Sequence, residues 1–253
     1  MKQFHAILTR FTIAVFLLLS IITLSFPSEI GETIRLIPDQ EGEEGYPKGW
    51  KPLTFSKISR HTRYTLVREE GRLMIKAESH QSASGLYIPL ELDPGTYSSI
   101  SWCWKINRIL KKGNETKKEG DDYAARIYVT FKYDPEKATF WERTKFGAIK
   151  MIYGEYPPKS AINYVWANFL PKGNSIPNPY TDRAEMVAVE SGAEYVGQWR
   201  CEERDIEEDY QKFFGEKPPP LLGVAVMTDT DNTQEEAIAY YSNLLIKKSK
   251  PVK

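Results

Sequence analysis

From residue 72 to residue 246 the chain is a succession of short runs rich in alternating apolar and polar residues, and only one stretch carries a convincing helical period. The runs are 72–79, 85–92, 97–106, 122–133, 146–153, 163–169, 183–191, 221–228 and 237–246. Turn chemistry such as Asp93-Pro94-Gly95 and Asn178-Pro179 separates them. Strands that follow one another without interleaved helices predict an all-β sandwich in one domain. The exception is a short helix near 205–214: Asp205 stands at the N-cap, Glu208 supplies the capping-box acid and Gly215 ends it. Ile206, Tyr210, Phe213 and Phe214 form its apolar stripe. Pro218-Pro219-Pro220 then leads into 221–227, which is apolar on both faces and reads as a central strand.

Ahead of this domain, Lys2 and Arg10 precede the apolar run 11–24, the pattern of a signal-peptide n-region and h-region. Residues 1–25 are therefore expected to be a signal peptide or an N-terminal membrane anchor, and the chain periplasmic or secreted, or else held at the inner membrane. The segment 26–51 reads as an extended arm, 52–247 as the single sandwich domain and 248–253 as a solvated basic tail. Thirty-four basic side chains balance 34 acidic ones, and no basic stripe is interleaved with aromatics, so nucleic acid is not an expected partner. In an oxidising compartment the two cysteines, Cys103 and Cys201, can form one long-range disulfide, the alternative being two separate buried thiols. They make no zinc site, because neither CxxC nor HxxxH spacing occurs.

The run 120–131 sets acids and one arginine into an alternating strand. Tyr123, Ala125, Ile127, Val129 and Phe131 fall on one face, which reads as core; Asp122, Ala124, Arg126, Tyr128 and Thr130 fall on the other. With Asp121 beside it, that second face offers a guanidinium fork, carboxylates and a hydroxyl to a polar ligand, or else a structural ion pair. Arg183 and Glu185 share a face of another strand and Glu190 lies on the opposite one. Asp122, Arg126, Arg183 and Glu190 would make a catalytic set if the fold gathered them. Paired carboxylates in a glycosidase stand about 5–5.5 Å apart for retention or about 6.5–9.5 Å for inversion.

Asp229, Asp231 and Asn232 cluster hard oxygen donors two residues apart, as calcium loops do. The EF-hand pattern is incomplete, and a tight acidic turn bonding its own backbone is the alternative. No cofactor is expected apart from calcium at this turn. Trp102 and Trp104 share a face with Ile100 and Ile106 and read as core, whereas Trp166 lies with Tyr164 and Asn168 on a mixed face suited to sugar stacking. No G-x-S-x-G elbow or Cys-His signature points to hydrolase chemistry of the serine or cysteine type.

An ordered series of motifs also carries a resemblance: Ser84-Gly85-Leu86, Trp102-Cys103-Trp104-Lys105, 120–131, Asn163-Tyr164-Val165-Trp166, Asn178-Pro179-Tyr180-Thr181, Glu190-Ser191-Gly192, Trp199 through Asp209-Tyr210, Phe214-Gly215 and 227–233. From about residue 49 to residue 245 the chain resembles a bacterial secreted domain-of-unknown-function family, the one numbered 3047. That resemblance implies a jelly-roll-like β-sandwich outside the cytoplasm and transfers no catalytic residue. The leading expectation is binding of a polar ligand, a glycan or cell-envelope component, through Asp121, Asp122, Arg126, Tyr128, Trp166, Arg183 and Glu190. The alternatives are a glycoside hydrolase or polysaccharide lyase on the same scaffold, and a structural envelope protein.

Overall fold

The computed structural model describes residues 33–42, 45–69, 71–153 and 156–249. The leader, residues 26–32, 43 and 44 of the arm and the end of the basic tail lie outside the described residues. In chain order the described elements are β1 (Thr33–Arg35), β2 (Lys51–Leu53), β3 (Arg63–Glu69), β4 (Arg72–His80), β5 (Ala83–Pro89), β6 (Ser99–Ile106), β7 (Arg126–Phe131), α1 (Phe140–Tyr153), β8 (Ser160–Ala167), β9 (Ser175–Pro177), β10 (Ala184–Ser191), β11 (Arg200–Asp205), α2 (Ile206–Phe214), β12 (Leu221–Asp229) and β13 (Glu236–Lys247).

These strands make two sheets. One runs β11-β6-β13-β4-β3, with β1 also on β13; the other runs β2-β5-β12-β7-β8-β10-β9. The chain crosses between them at every step from β4 to β7 and again from β10 to β13, the sheet-switching path of a jelly-roll-like sandwich. β8 and β10 pair in parallel, whereas β7 is antiparallel to both β8 and β12. As expected, β12 is central in its sheet and buried along almost its whole length.

Alternation along the strands fills the space between the sheets. Ile100, Trp102, Trp104 and Ile106 of β6 meet Ile127, Val129 and Phe131 of β7 and Ile162, Tyr164 and Trp166 of β8 in one core. The Trp102 ring lies 5.4 Å from Trp104 and 5.3 Å from Tyr164, and Trp104 lies 5.9 Å from Trp166. Burying one indole removes about 150–250 Å² from water, about 4–6 kcal/mol as an upper bound. Trp166 is 1% exposed, and its indole N–H donates to the Gly192 carbonyl at 3.0 Å. This corrects the mixed-face reading: Trp166 is a core ring and offers no sugar platform. Cys103 points away from the tryptophans and is disulfide-bonded to Cys201, its register partner on β11.

The α2 helix is capped as its residues require. The Asp205 carboxylate accepts the Glu208 N–H at 2.9 Å, and Gly215 adopts the left-handed conformation at φ 70°. Tyr210 packs on Phe131 with rings 4.4 Å apart, and Asp209 takes the Arg204 guanidinium and, at 2.8 Å, the Tyr164 hydroxyl.

Residues 146–153 correct the sequence reading, since they belong to α1 and not to a strand. The missed signal stands just upstream: the Glu142 N–H donates to Thr139 Oγ1 at 3.3 Å while Glu142 Oε2 accepts the Thr139 N–H at 2.9 Å, a reciprocal capping box. The strand beginning at residue 122 is also corrected, because regular pairing starts only at Arg126. Alternation therefore fails over 121–125. Ala124 and Ala125 both enter the main core, and Tyr123 lies on the outer side with Arg126.

Candidate functional site

β7 and β12 are neighbours, and both reach the same edge of the sandwich: Arg126 opens β7 opposite Met227, two residues before the end of β12 at Asp229. The irregular segment 118–122 approaches that edge, and so does the turn 230–235 leading into β13. Four carboxylates, those of Asp121, Asp122, Asp229 and Asp231, thereby gather at this edge, and those of Asp121 and Asp229 face the Arg126 guanidinium. Asp122 is fully buried, and Asp229, Arg126 and Asp121 are 2%, 3% and 5% exposed, while Asp231 is half-buried.

Arg126 Nη2 is bonded to Asp229 Oδ2, and Nη1 lies 3.7 Å from Asp121 Oδ1. The guanidinium sits 4.9 Å from the Tyr123 ring and 5.6 Å from that of Tyr128. Asp122 does not pair with Arg126; its Oδ2 accepts the Thr233 N–H at 2.6 Å. Asp229 Oδ1 accepts the Tyr123 N–H at 3.2 Å, and Asp121 Oδ2 is 3.5 Å from Asn178 Nδ2. Asp121 Oδ1, Asp122 Oδ1, Thr233 Oγ1, and Arg126 Nε and Nη1 are buried without a hydrogen bond. Such orphans are rare in folded proteins and each calls for a physical reason.

One carboxylate oxygen from each of Asp122, Asp229 and Asp231 lies within 4.8 Å of the others. At that separation an ionised pair repels by at least about 3.5 kcal/mol at an effective dielectric of about 20. Burial pushes the Asp121 carboxyl upward, opposed by Arg126 and helped by Asp122. Asp231 is also raised, first by burial and then by Asp122. For Arg126 burial acts to lower the pKa, but the surrounding Tyr128, Asp121, Tyr123 and Asp122 outweigh it, so the guanidinium stays charged.

The other residues singled out in the sequence are elsewhere. Glu190 is buried, with Oε2 at 2.9 Å from Arg200 Nε and 3.3 Å from Lys172 Nζ. Arg183 precedes β10 at the opposite end of the sheet from Arg126, where it donates to the Pro158 carbonyl at 3.0 Å and stacks 4.4 Å from the Phe146 ring. This corrects the combined set: Asp122, Arg126, Arg183 and Glu190 occupy three separate environments and form no common acid-base pair. Tyr128 is half-buried beside Arg126, and burial raises its hydroxyl pKa. The Asn232 side chain lies within the cluster's rim and not among its carboxylates, 3.4 Å from the Tyr180 hydroxyl.

That rim holds residues the sequence reading did not single out as ligands. Tyr180 is 55% exposed; its hydroxyl donates to the Lys118 carbonyl at 2.9 Å and feels Asp121, Asp231 and Asp122. Phe169 is 59% exposed and its N–H donates to Glu115 Oε1 at 2.9 Å, while the neighbouring Asn168 amide donates to the Asp122 carbonyl at 2.9 Å. Two exposed rings are thus tied to the segment that carries Asp121 and Asp122. The available signal was a pair of aromatics, each directly after an asparagine or an Asn-Pro turn.

A family model described as "Protein of unknown function (DUF3047)" matches residues 48–245. No curated protein matches the chain. Among solved structures, the chain is similar to the K1 cleaved adhesin domain of Lys-gingipain from Porphyromonas gingivalis W83, at 12% identity and a TM-score of 0.38, over 87% of this chain and 100% of that one. It is similar to the carbohydrate recognition domain of Emp47p at 13% identity and TM-score 0.37, over 83% and 94% of the two chains. The agarase AgWH50C matches at 9% identity and TM-score 0.33, over 87% of this chain but 25% of the agarase. At such scores none of these likenesses bears on function, and the fold assignment rests on the strand order.

Proposed function

The chain belongs to the DUF3047 family, and from that premise we propose that it is an extracytoplasmic binding protein whose ligand is a glycan or a glycan-bearing envelope component. One observation carries the reading: the exposed Tyr180 ring stands at the rim of a carboxylate cluster, bonded to Asn232 and to the Lys118 carbonyl. A sugar presents apolar C–H faces and many hydroxyls, so it is met by an aromatic face beside carboxylate and amide acceptors. The half-buried Asp231 is the carboxylate nearest solvent and accepts hydroxyl donors there. Arg126 is closed off from such a ligand and holds the cluster together from below. Two features support a site of action beyond the cytoplasm: the leader pattern of residues 1–25, cleaved or kept as an anchor, and the Cys103–Cys201 bridge.

The test is binding of the purified protein to a glycan array and to isolated cell-envelope polysaccharide, compared with Tyr180→Ala. Loss of at least about tenfold in affinity is expected, with the circular dichroism spectrum unchanged. Equal binding by a folded Tyr180→Ala protein would overturn the site assignment. An enzymatic reading has no comparable support, since Glu190 is held by Arg200 and Lys172 while Asp122 sits in a different cluster, accepting the Thr233 N–H.

A further inference from the structure

We propose that Asp122, Asp229 and Asp231 bind one Ca²⁺ ion, with Asp121 adding negative charge beside it. The inference shares Asp231 with the glycan reading but rests on the buried oxygens of Asp122 and Thr233 and requires no sugar.

The three converging groups are carboxylates, with no histidine or cysteine among them, which selects a hard cation over zinc or copper. They arrive from two segments far apart in sequence, Asp122 from the turn before β7 and Asp229 and Asp231 from the end of β12. An ion would therefore lock two chain segments together. Oxygens bound to one ion cannot be farther apart than twice the bond length. For Ca²⁺ at about 2.3–2.6 Å this allows about 4.6–5.2 Å, and the observed span of 4.8 Å or less fits. Mg²⁺ requires a tighter octahedron of ligands at about 2.0–2.1 Å, which irregular turns supply less readily.

Buried polar atoms without partners line the same cluster. Asp122 is fully buried, and its Oδ1 has no hydrogen-bond donor although its Oδ2 is satisfied by Thr233 N–H. Thr233 Oγ1, on a residue 3% exposed and bonded to the same carboxylate, is also without a partner. Asp121 Oδ1 has only the long ion pair to Arg126. Buried carboxylate oxygens without donors require a proton or a cation. Asp229 remains able to ligate, because each carboxylate oxygen keeps a second lone pair after bonding Arg126 or Tyr123 N–H. Four carboxylates against one guanidinium leave three negative charges, and a divalent ion reduces that excess to one.

The experiment uses the full chain stripped with a chelator and dialysed into metal-free buffer. Ca²⁺ binding is measured by calorimetry and by thermal melting without any glycan present. One site per chain is expected, with Tm raised by about 5 °C or more once Ca²⁺ exceeds its Kd about a hundredfold. Asp231→Asn, at the half-buried position, is expected to weaken Ca²⁺ binding at least about tenfold without lowering the metal-free Tm. Glu190→Gln is expected to bind Ca²⁺ like the wild type. Absence of binding up to about 10 mM Ca²⁺, unchanged affinity in Asp231→Asn, or a response to Mg²⁺ and not to Ca²⁺ would each overturn the proposal. Asp122→Asn is expected to abolish Ca²⁺ binding, and where it fails to fold Asp231→Asn alone decides. Loss of glycan binding in Tyr180→Ala with Ca²⁺ affinity intact separates the two readings.

Discussion

Asp122 and Glu190 are both carboxylates buried at the margins of one sheet, yet their surroundings differ in kind. Around Glu190 the charges match. Oε2 takes Arg200 at 2.9 Å and Lys172 at 3.3 Å, Oε1 accepts the Ser191 N–H at 3.1 Å, and Lys172 also lies 3.8 Å from Glu202. Two acids face two bases, and Arg200 and Lys172 keep part of their side chains in solvent. Around Asp122 four acids face one arginine, and two carboxylate oxygens have no donor. Depth of burial is therefore not what distinguishes a strut from a site; charge balance is. The matched cluster balances its charge within the protein even though Glu202 Oε1 there lacks a hydrogen bond, whereas the unmatched one needs a counter-charge from outside it.

Removing Arg126, the cation paired with Asp229 and Asp121, should have the largest effect. Arg126→Met is expected to cost about 4 kcal/mol or more in urea unfolding of metal-free protein, since it leaves buried carboxylates without a counter-charge. A loss below about 1 kcal/mol would erase the contrast. Gly120→Ala comes next. A Cβ at Gly120 would lie 2.6 Å from the Asn114 backbone nitrogen, so the segment carrying Asp121 and Asp122 must shift. The expected cost is about 2 kcal/mol, with the near-ultraviolet signal of the neighbouring tyrosines altered. Glu190→Gln should cost only about 1 kcal/mol by the same unfolding measurement, because Arg200 and Lys172 can return to water.

The smallest effect is a pH dependence at Glu202, whose carboxyl burial raises, with Glu190 adding to the shift. A raised carboxyl contributes stability that is full below its unfolded pKa and lost as pH rises through its folded pKa. Glu202→Gln cannot ionise, so its stability relative to wild type should increase as pH goes from about 4 to 7. Melting curves at the two pH values check this, and an unchanged difference would show that Lys172 and Arg200 already cancel the cost.

The sandwich was legible because its inward faces are written in period two. β6 and β12 could be read directly from their apolar residues, and α2 from Asp205, Glu208 and Gly215. The edge strand β11 was not, since Arg200-Cys201-Glu202-Glu203-Arg204-Asp205 is charged almost throughout and buries little. α1 was hidden by an apolar run whose helical cap stands outside it, at Thr139. For the site, the Asp-Asp and Arg126 positions were visible and so was the acidic turn at Asp229, but nothing in either segment says that they meet. Their convergence depends on β7 pairing with β12, a contact between strands about a hundred residues apart. Residue type alone groups Glu190 and Arg183 with them, whereas sheet position, which the sequence does not show, sets them apart.

The bridge between Cys103 and Cys201 has a mechanical consequence. It spans a sequence separation of 98 residues, and β7, β8, β9 and β10 all lie inside that covalent loop. Tension applied along the chain from its two ends passes through the sulfurs and bypasses everything between them. The bypassed chain would extend to about 330 Å if freed. Under load the oxidised protein should therefore lengthen far less than its residue count allows, and reduction should release that hidden length in one step.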